Sequence, residues 1–141
     1  MEENNIYLEF PSLPKNESLA KMLVAAFASQ LNPTMEQLAD IKTAVSEAVA
    51  NCIIHAYPNG VGTIIMQLGI HDHALYIKIF DKGVGIKNVH QAMEPLYTTR
   101  PDLKRAGMGF SFMGSFMDNL MVESEIGKGT AIYMSKKIDN D

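Results

Sequence analysis

One cysteine, Cys52, is all the chain contains. No internal disulfide can form, and its place among apolar residues in a helical pattern reads as a buried thiol. Basic charge is also short: the net charge is -4 and the isoelectric point near 5.5. There is no cationic field to gather a polyanion, so nucleic acid is excluded as an expected partner and any phosphate must be gripped locally. No apolar run reaches the length of about 20 residues that a membrane-spanning helix needs. The opening Met1-Glu2-Glu3-Asn4-Asn5 is acidic and polar, the opposite of a signal peptide's cationic start. These absences predict a cytoplasmic protein. Repeats, linkers and low-complexity tracts are missing too, and 141 residues that are 47% hydrophobic and 20% charged suit one domain spanning 1–141.

Periodicity supplies the elements. Residues 5–10 read as a strand, Pro11 and Pro14 interrupt the chain, and Asn16 is the expected cap of a helix from about 17 to 31. In that helix Leu19, Met22, Leu23, Ala26 and Phe27 recur at helical spacing. Thr34-Met-Glu-Gln37 reads as a capping box opening a second helix that runs until Pro58, with an apolar stripe of Ile41, Val45, Ala48, Val49, Cys52 and Ile53. Alternation over 62–70 and 74–80 predicts a hairpin around His71-Asp72-His73. Residues 81–107 lack sustained periodicity and read as loop, short helix and lid. A helix over 109–116 and strands over 118–125 and 129–137 follow. The expected architecture is α+β: a two-layer sandwich with helices on one face of a mixed, mostly antiparallel sheet.

Four groups of residues carry chemistry. On the second helix Glu47, Asn51 and His55 stand four apart and so share a face, each offset by about 40°. The amide oxygen of Asn51 suits a magnesium ion that arrives with ATP and needs few protein ligands. Glu47, one turn earlier, can take a proton from an attacking hydroxyl or water. An exposed polar stripe is the plainer alternative. Directly after a strand, Asp81-Lys-Gly83-Val-Gly85 offers a carboxylate that can accept the amino hydrogen of adenine and glycines that let backbone pass close to a ring; an ordinary turn would look similar.

The third group is the stretch from Glu94 to Gly107, with two prolines, two threonines and three cations, closing in Gly107-Met108-Gly109-Phe110 before a helix. It describes a lid, about 94–107, that can fold over a polyanion and place phosphate oxygens on free amides at the helix start. Arg105 is the best-placed cation for a terminal phosphate, and Thr98 and Thr99 are further phosphate donors. A charged surface loop with a glycine hinge is the competing explanation. Last, Gly127-Lys-Gly129-Thr130 joins the final strands and turns Thr130 toward the base. No glycine stands at 122 and no helix follows, so it is not a Walker loop, and a dinucleotide fingerprint is absent as well.

Together, Glu-x-x-x-Asn on a helix, Asp-x-Gly-x-Gly, a lid ending in Gly-x-Gly and Gly-x-Gly-Thr resemble the Bergerat ATP-binding fold shared by gyrase, Hsp90, histidine kinases and MutL. Within that superfamily the chain resembles the anti-sigma-F factors of endospore-forming bacteria. The likeness rests on Asn16-Glu-Ser18, Asn32-Pro-Thr-Met35, Val45-Ser-Glu-Ala-Val49, Asn51 with Ile53-Ile-His55, Pro95-Leu-Tyr-Thr-Thr-Arg-Pro101 and Gly107-Met-Gly-Phe110. It implies a serine kinase that uses Mg-ATP, retains ADP, sequesters the sigma-F factor, phosphorylates an anti-anti-sigma partner and forms a homodimer. By resemblance Glu47 is the base for the partner's serine, Asn51 the magnesium ligand, Asp81 the adenine acceptor, and Arg105 with Gly107 and Gly109 the phosphate grip. Lys21 falls where the family commonly has an arginine that contacts partners; the charge is kept and the bidentate fork lost.

Three rivals define the limits. A histidine-kinase catalytic fragment needs a phosphoacceptor hairpin that the 16 residues before the first helix cannot supply. A pure sigma-binding module with structural nucleotide is separated by Glu47, and a general-stress anti-sigma kinase by the local identities alone.

Overall fold

The computed structural model describes residues 3–86 and 109–138. Strand β1 (Asn4–Pro11) leads through the two prolines into helix α1 (Asn16–Ala28), which tightens to a 3-10 turn at Ser29–Leu31. Helix α2 (Met35–Asn51) continues as a π-helical turn at Cys52–Ala56. Strands β2 (Thr63–His71) and β3 (Ala74–Asp81), helix α3 (Gly109–Phe116), and strands β4 (Asn119–Glu125) and β5 (Gly129–Lys137) complete the described chain. No described helix is long and apolar enough to cross a membrane.

The five strands form one sheet in the order β1-β2-β3-β5-β4, antiparallel at every pairing. That narrows the expected mixed sheet, and the reason is local: β2 and β3 are joined by a two-residue turn whose Asp72 and His73 both have positive φ, the twist-matched geometry of a tight hairpin. Helix α2 lies between α1 and α3 over one face of the sheet. Its predicted stripe is buried as Ile41, Val45, Ala48, Val49 and Cys52 against Ile64, Met66, Leu68, Leu75, Ile77, Ile79, Ile132 and Met134 of the strands. The opposite face turns Gln67, Tyr76 and Lys78 outward, with the Lys78 ammonium 4.6 Å from the centre of the Phe80 ring.

The α2 start is the expected capping box: Thr34 Oγ1 accepts from the Gln37 amide at 3.1 Å and Gln37 Oε1 accepts from the Thr34 amide at 2.9 Å. Two expectations about α1 are corrected. Asn16 does not cap it, because its Nδ2 donates instead to the Pro11 carbonyl at 2.9 Å and Lys15 occupies the cap position without a side-chain bond. The buried stripe is Ala20, Val24, Phe27 and Ala28, while Leu19, Met22 and Leu23 are exposed. The helix is apolar on nearly all sides, so periodicity alone did not settle which stripe packs inward; the small residues let α1 approach α2.

Candidate functional site

One register row organises the site. Phe10 pairs with Ile64, Ile64 with Asp81, Asp81 with Thr130 and Thr130 with Ser124. Paired residues in a sheet share a face, so Asp81, Thr130 and Ser124 stand in line across β3, β5 and β4 at one end of the sheet. Asp81 and Thr130 are both buried and Ser124 is half-buried, so three polar residues continue a row that begins with the core residues Phe10 and Ile64.

The end of α2 closes over this row. A π turn bonds i to i+5 and often marks a functional position. Here it brings the Ala56 carbonyl to the Val84 amide at 2.9 Å, tying the helix end to the loop that follows Asp81. Tyr57, next in sequence and held out of the helix by the following Pro58, donates its hydroxyl to the Thr63 carbonyl at 2.7 Å and accepts from the Lys82 amide at 2.9 Å. His55 lies within this π turn, about one turn after Asn51, and is half-buried.

The two glycines after Asp81 serve contacts with protein backbone. A Cβ on Gly83 would lie 2.1 Å from the Ala56 carbonyl oxygen, and one on Gly85 would lie 2.2 Å from that of Glu125. Gly85 also has φ +80°, where a side chain is strained. Their smallness wedges the loop between the α2 end and the β4–β5 turn, where the Gly127 amide donates to the Val84 carbonyl at 2.9 Å. Close packing against protein backbone is thus a physical reason for both glycines that involves no ring.

Asp81 Oδ1 accepts from the Gly83 amide at 2.9 Å and the Thr130 amide at 3.3 Å, and the Cys52 thiol donates to the same carboxyl. Burial still dominates and raises the Asp81 pKa above the ordinary carboxylate value, with those three hydrogen bonds opposing it. Burial likewise pushes the Cys52 thiol well up, helped by the neighbouring Asp81 charge. The expected buried thiol is therefore found, and it touches the site.

On α2, Asn51 is buried and Glu47 half-buried, so the polar stripe is not a solvent face. Asn51 Nδ2 and Glu47 Oε2 are buried atoms without a hydrogen bond, although Glu47 is engaged elsewhere. Next to Glu47, the buried Ser46 hydroxyl donates to Glu17 of α1 at 2.9 Å. Lys21, one turn beyond Glu17, is half-buried on α1.

The structure thus brings Asp81, Gly83, Gly85 and Thr130 together below the α2 end that carries Glu47 and Asn51. Gly109 and Phe110 form the first turn of α3. Thr98, Thr99, Arg105, Gly107 and Met108, with the predicted lid over 94–107, lie outside the described residues. Sequence reasoning missed Tyr57, the Ala56 carbonyl and Ser124. Only Ser124 left a signal: a tight turn at Ile126-Gly-Lys128 places it opposite Thr130.

The chain matches the family model described as the histidine kinase-like ATPase domain over residues 10–136. It is 56% identical over 97% of its length to the anti-sigma F factor of Clostridium acetobutylicum, covering 96% of that protein. With the anti-sigma F factor of Caldanaerobacter subterraneus subsp. tengcongensis it shares 56% identity over 98% of its length and 97% of the relative's. Among solved structures, the RsbU and RsbW domains of a Mycobacterium tuberculosis protein superpose with a TM-score of 0.70 at 14% identity, over 96% of this chain and 32% of that one, a likeness of fold.

Proposed function

From a chain that belongs to the histidine kinase-like ATPase family, in its anti-sigma F factor branch, we propose a nucleotide-dependent protein serine kinase that also holds the sporulation sigma factor sigma-F inactive. Its second partner is an anti-anti-sigma protein, which it phosphorylates on serine and thereby inactivates. It works in the cytoplasm as a homodimer, with Lys21 on the partner-facing side of α1.

The observation that carries this reading is the placement of the buried Asp81 and Thr130 row beneath the helix end bearing Glu47 and Asn51, in a chain related over its full length to anti-sigma F factors. Asp81 accepts the amino hydrogen of adenine on a carboxylate oxygen. The partner's serine oxygen attacks the γ-phosphorus, Glu47 takes the serine proton, and the bond to the leaving ADP breaks. Asn51 would hold a magnesium ion brought in by the phosphates through its side-chain Oδ1, a neutral oxygen ligand of the kind this ion takes, on a residue that is buried at the end of α2. Among the described residues no cluster of His, Cys, Asp and Glu could cage a metal without the nucleotide. Magnesium, when bound, neutralises charge on the phosphates. Arg105, Thr98, Thr99 and the Gly107–Phe110 segment supply the remaining phosphate contacts.

The test is to incubate the protein with Mg-ATP and the anti-anti-sigma protein and locate new phosphate by mass spectrometry. Phosphoserine on the partner is expected, and Glu47→Ala should abolish it while sparing ATP binding. Unchanged transfer removes Glu47 from the mechanism; phosphohistidine on this chain would overturn the serine-kinase reading.

A further inference from the structure

Ser124 sits where three pieces of backbone meet. Its Oγ is 2.7 Å from the Ile86 amide nitrogen, 3.0 Å from the Gly129 carbonyl oxygen and 2.7 Å from Thr130 Oγ1. A hydroxyl has one proton and two lone pairs, and this inventory decides every direction. The Ile86 amide can only donate, so it fills one lone pair of Ser124. The Gly129 carbonyl can only accept, so it takes the single Ser124 proton. At the third contact Ser124 has nothing left to give, and the proton between the two hydroxyls must come from Thr130.

Thr130 is the cross-strand neighbour of Asp81, and its own amide is spent on Asp81 Oδ1. With its hydroxyl proton turned onto Ser124, Thr130 Oγ1 offers only lone pairs beside a carboxylate that also only accepts. The edge of the site is built wholly of acceptors. It suits a C6 substituent that carries N–H and repels a carbonyl oxygen at that position.

Resting on the ATP-site reading above, we propose that Ser124 is a positioning residue for base selection: it locks the Thr130 hydroxyl as an acceptor, so that a 6-aminopurine is taken and a 6-oxopurine refused. Ser124 does not touch the nucleotide. It acts through Thr130, and its loss frees the Thr130 proton to rotate and donate to a purine oxygen.

The experiment measures Kd for ATP and for inosine triphosphate, whose C6 carries oxygen in place of the amino group, by calorimetry on the full chain. In Ser124→Ala the ratio Kd(inosine triphosphate)/Kd(ATP) should fall about five- to tenfold, the worth of one neutral hydrogen bond. Ser124→Thr, which keeps the hydroxyl, should restore it. In a Thr130→Val background, where no proton remains to be directed, Ser124→Ala should leave the ratio unchanged. An unchanged ratio in Ser124→Ala alone, or an equal loss of both nucleotides, would show Ser124 to be a loop tie only and overturn the proposal. If Ser124→Ala fails to fold, Ser124→Cys keeps the size with a far weaker hydrogen-bonding group and is held to the same criterion. A wild-type chain that binds neither nucleotide would overturn the nucleotide reading itself, a result distinct from bound nucleotides with an unmoved ratio.

Discussion

Gly83 presses against the backbone of Ala56, leaving no room between them for a side chain. Both partners in this contact are main chain, so neither can rotate aside. The Ala56 carbonyl is also held by the Val84 amide, and relief of a clash at Gly83 must break that bond. Gly83→Ala is therefore expected to cost about 2–4 kcal/mol, read as a lower urea midpoint, whereas Gly60→Ala, with nothing within 4 Å of its Cβ, should be nearly neutral.

Asp81 sets a pH dependence whose sign follows from its raised pKa. The folded state binds the Asp81 proton more tightly than the unfolded state. Between the ordinary carboxylate value and the raised one, the folded protein carries more proton, and its stability falls as pH rises. Above the raised value the cost of the buried charge is complete. Unfolding curves of wild type and Asp81→Asn from pH 4 to 7 should show wild type losing ground to the variant across the lower part of that range and holding level above it. At pH 7 the same variant should bind ATP at least about tenfold more weakly, since an accepting carboxylate has gone.

Asn51→Ala separates ligand binding from folding. The Nδ2 that the variant removes makes no hydrogen bond in the protein, so the usual penalty for deleting a buried polar group is small. A change of no more than about 1 kcal/mol in stability is expected, together with a loss of the magnesium-dependent part of ATP affinity. Titrations with magnesium and with chelator should then converge for the variant and differ for wild type.

Tyr57→Phe removes one hydroxyl and two backbone ties, to Thr63 and to Lys82. At about 1 kcal/mol for each neutral hydrogen bond, the loss should be about 1–2 kcal/mol by chemical denaturation. Amide exchange should quicken at Lys82, whose donor loses its acceptor.

The sheet and α2 were legible because their patterns admit one solution. The stripe from Ile41 to Cys52 repeats at helical spacing between polar residues, and Thr34 with Gln37 closes the helix start by chemistry that local sequence contains. Helix α1 was legible as a helix but not in its orientation: Leu19, Met22 and Leu23 compete with Ala20, Val24 and Phe27, and only the neighbour decides. The candidate site divides in the same way. Asp81 and Thr130 could be found from turn residues at strand ends. The π turn after Asn51, the reach of Tyr57 to Lys82 and the bonding of Ser124 depend on contacts between residues distant in sequence, which no local pattern encodes.

The single cysteine acquires a practical meaning from where it lies. Cys52 is buried, bonded to Asp81, and its thiolate is disfavoured, so an alkylating reagent has nothing to attack while the end of α2 stays seated. Modification must wait for that end to lift. The chain thus carries its own clock: the rate at which one thiol is labelled counts how often the floor of the candidate site opens, with no engineered probe and no competing sulfhydryl to subtract.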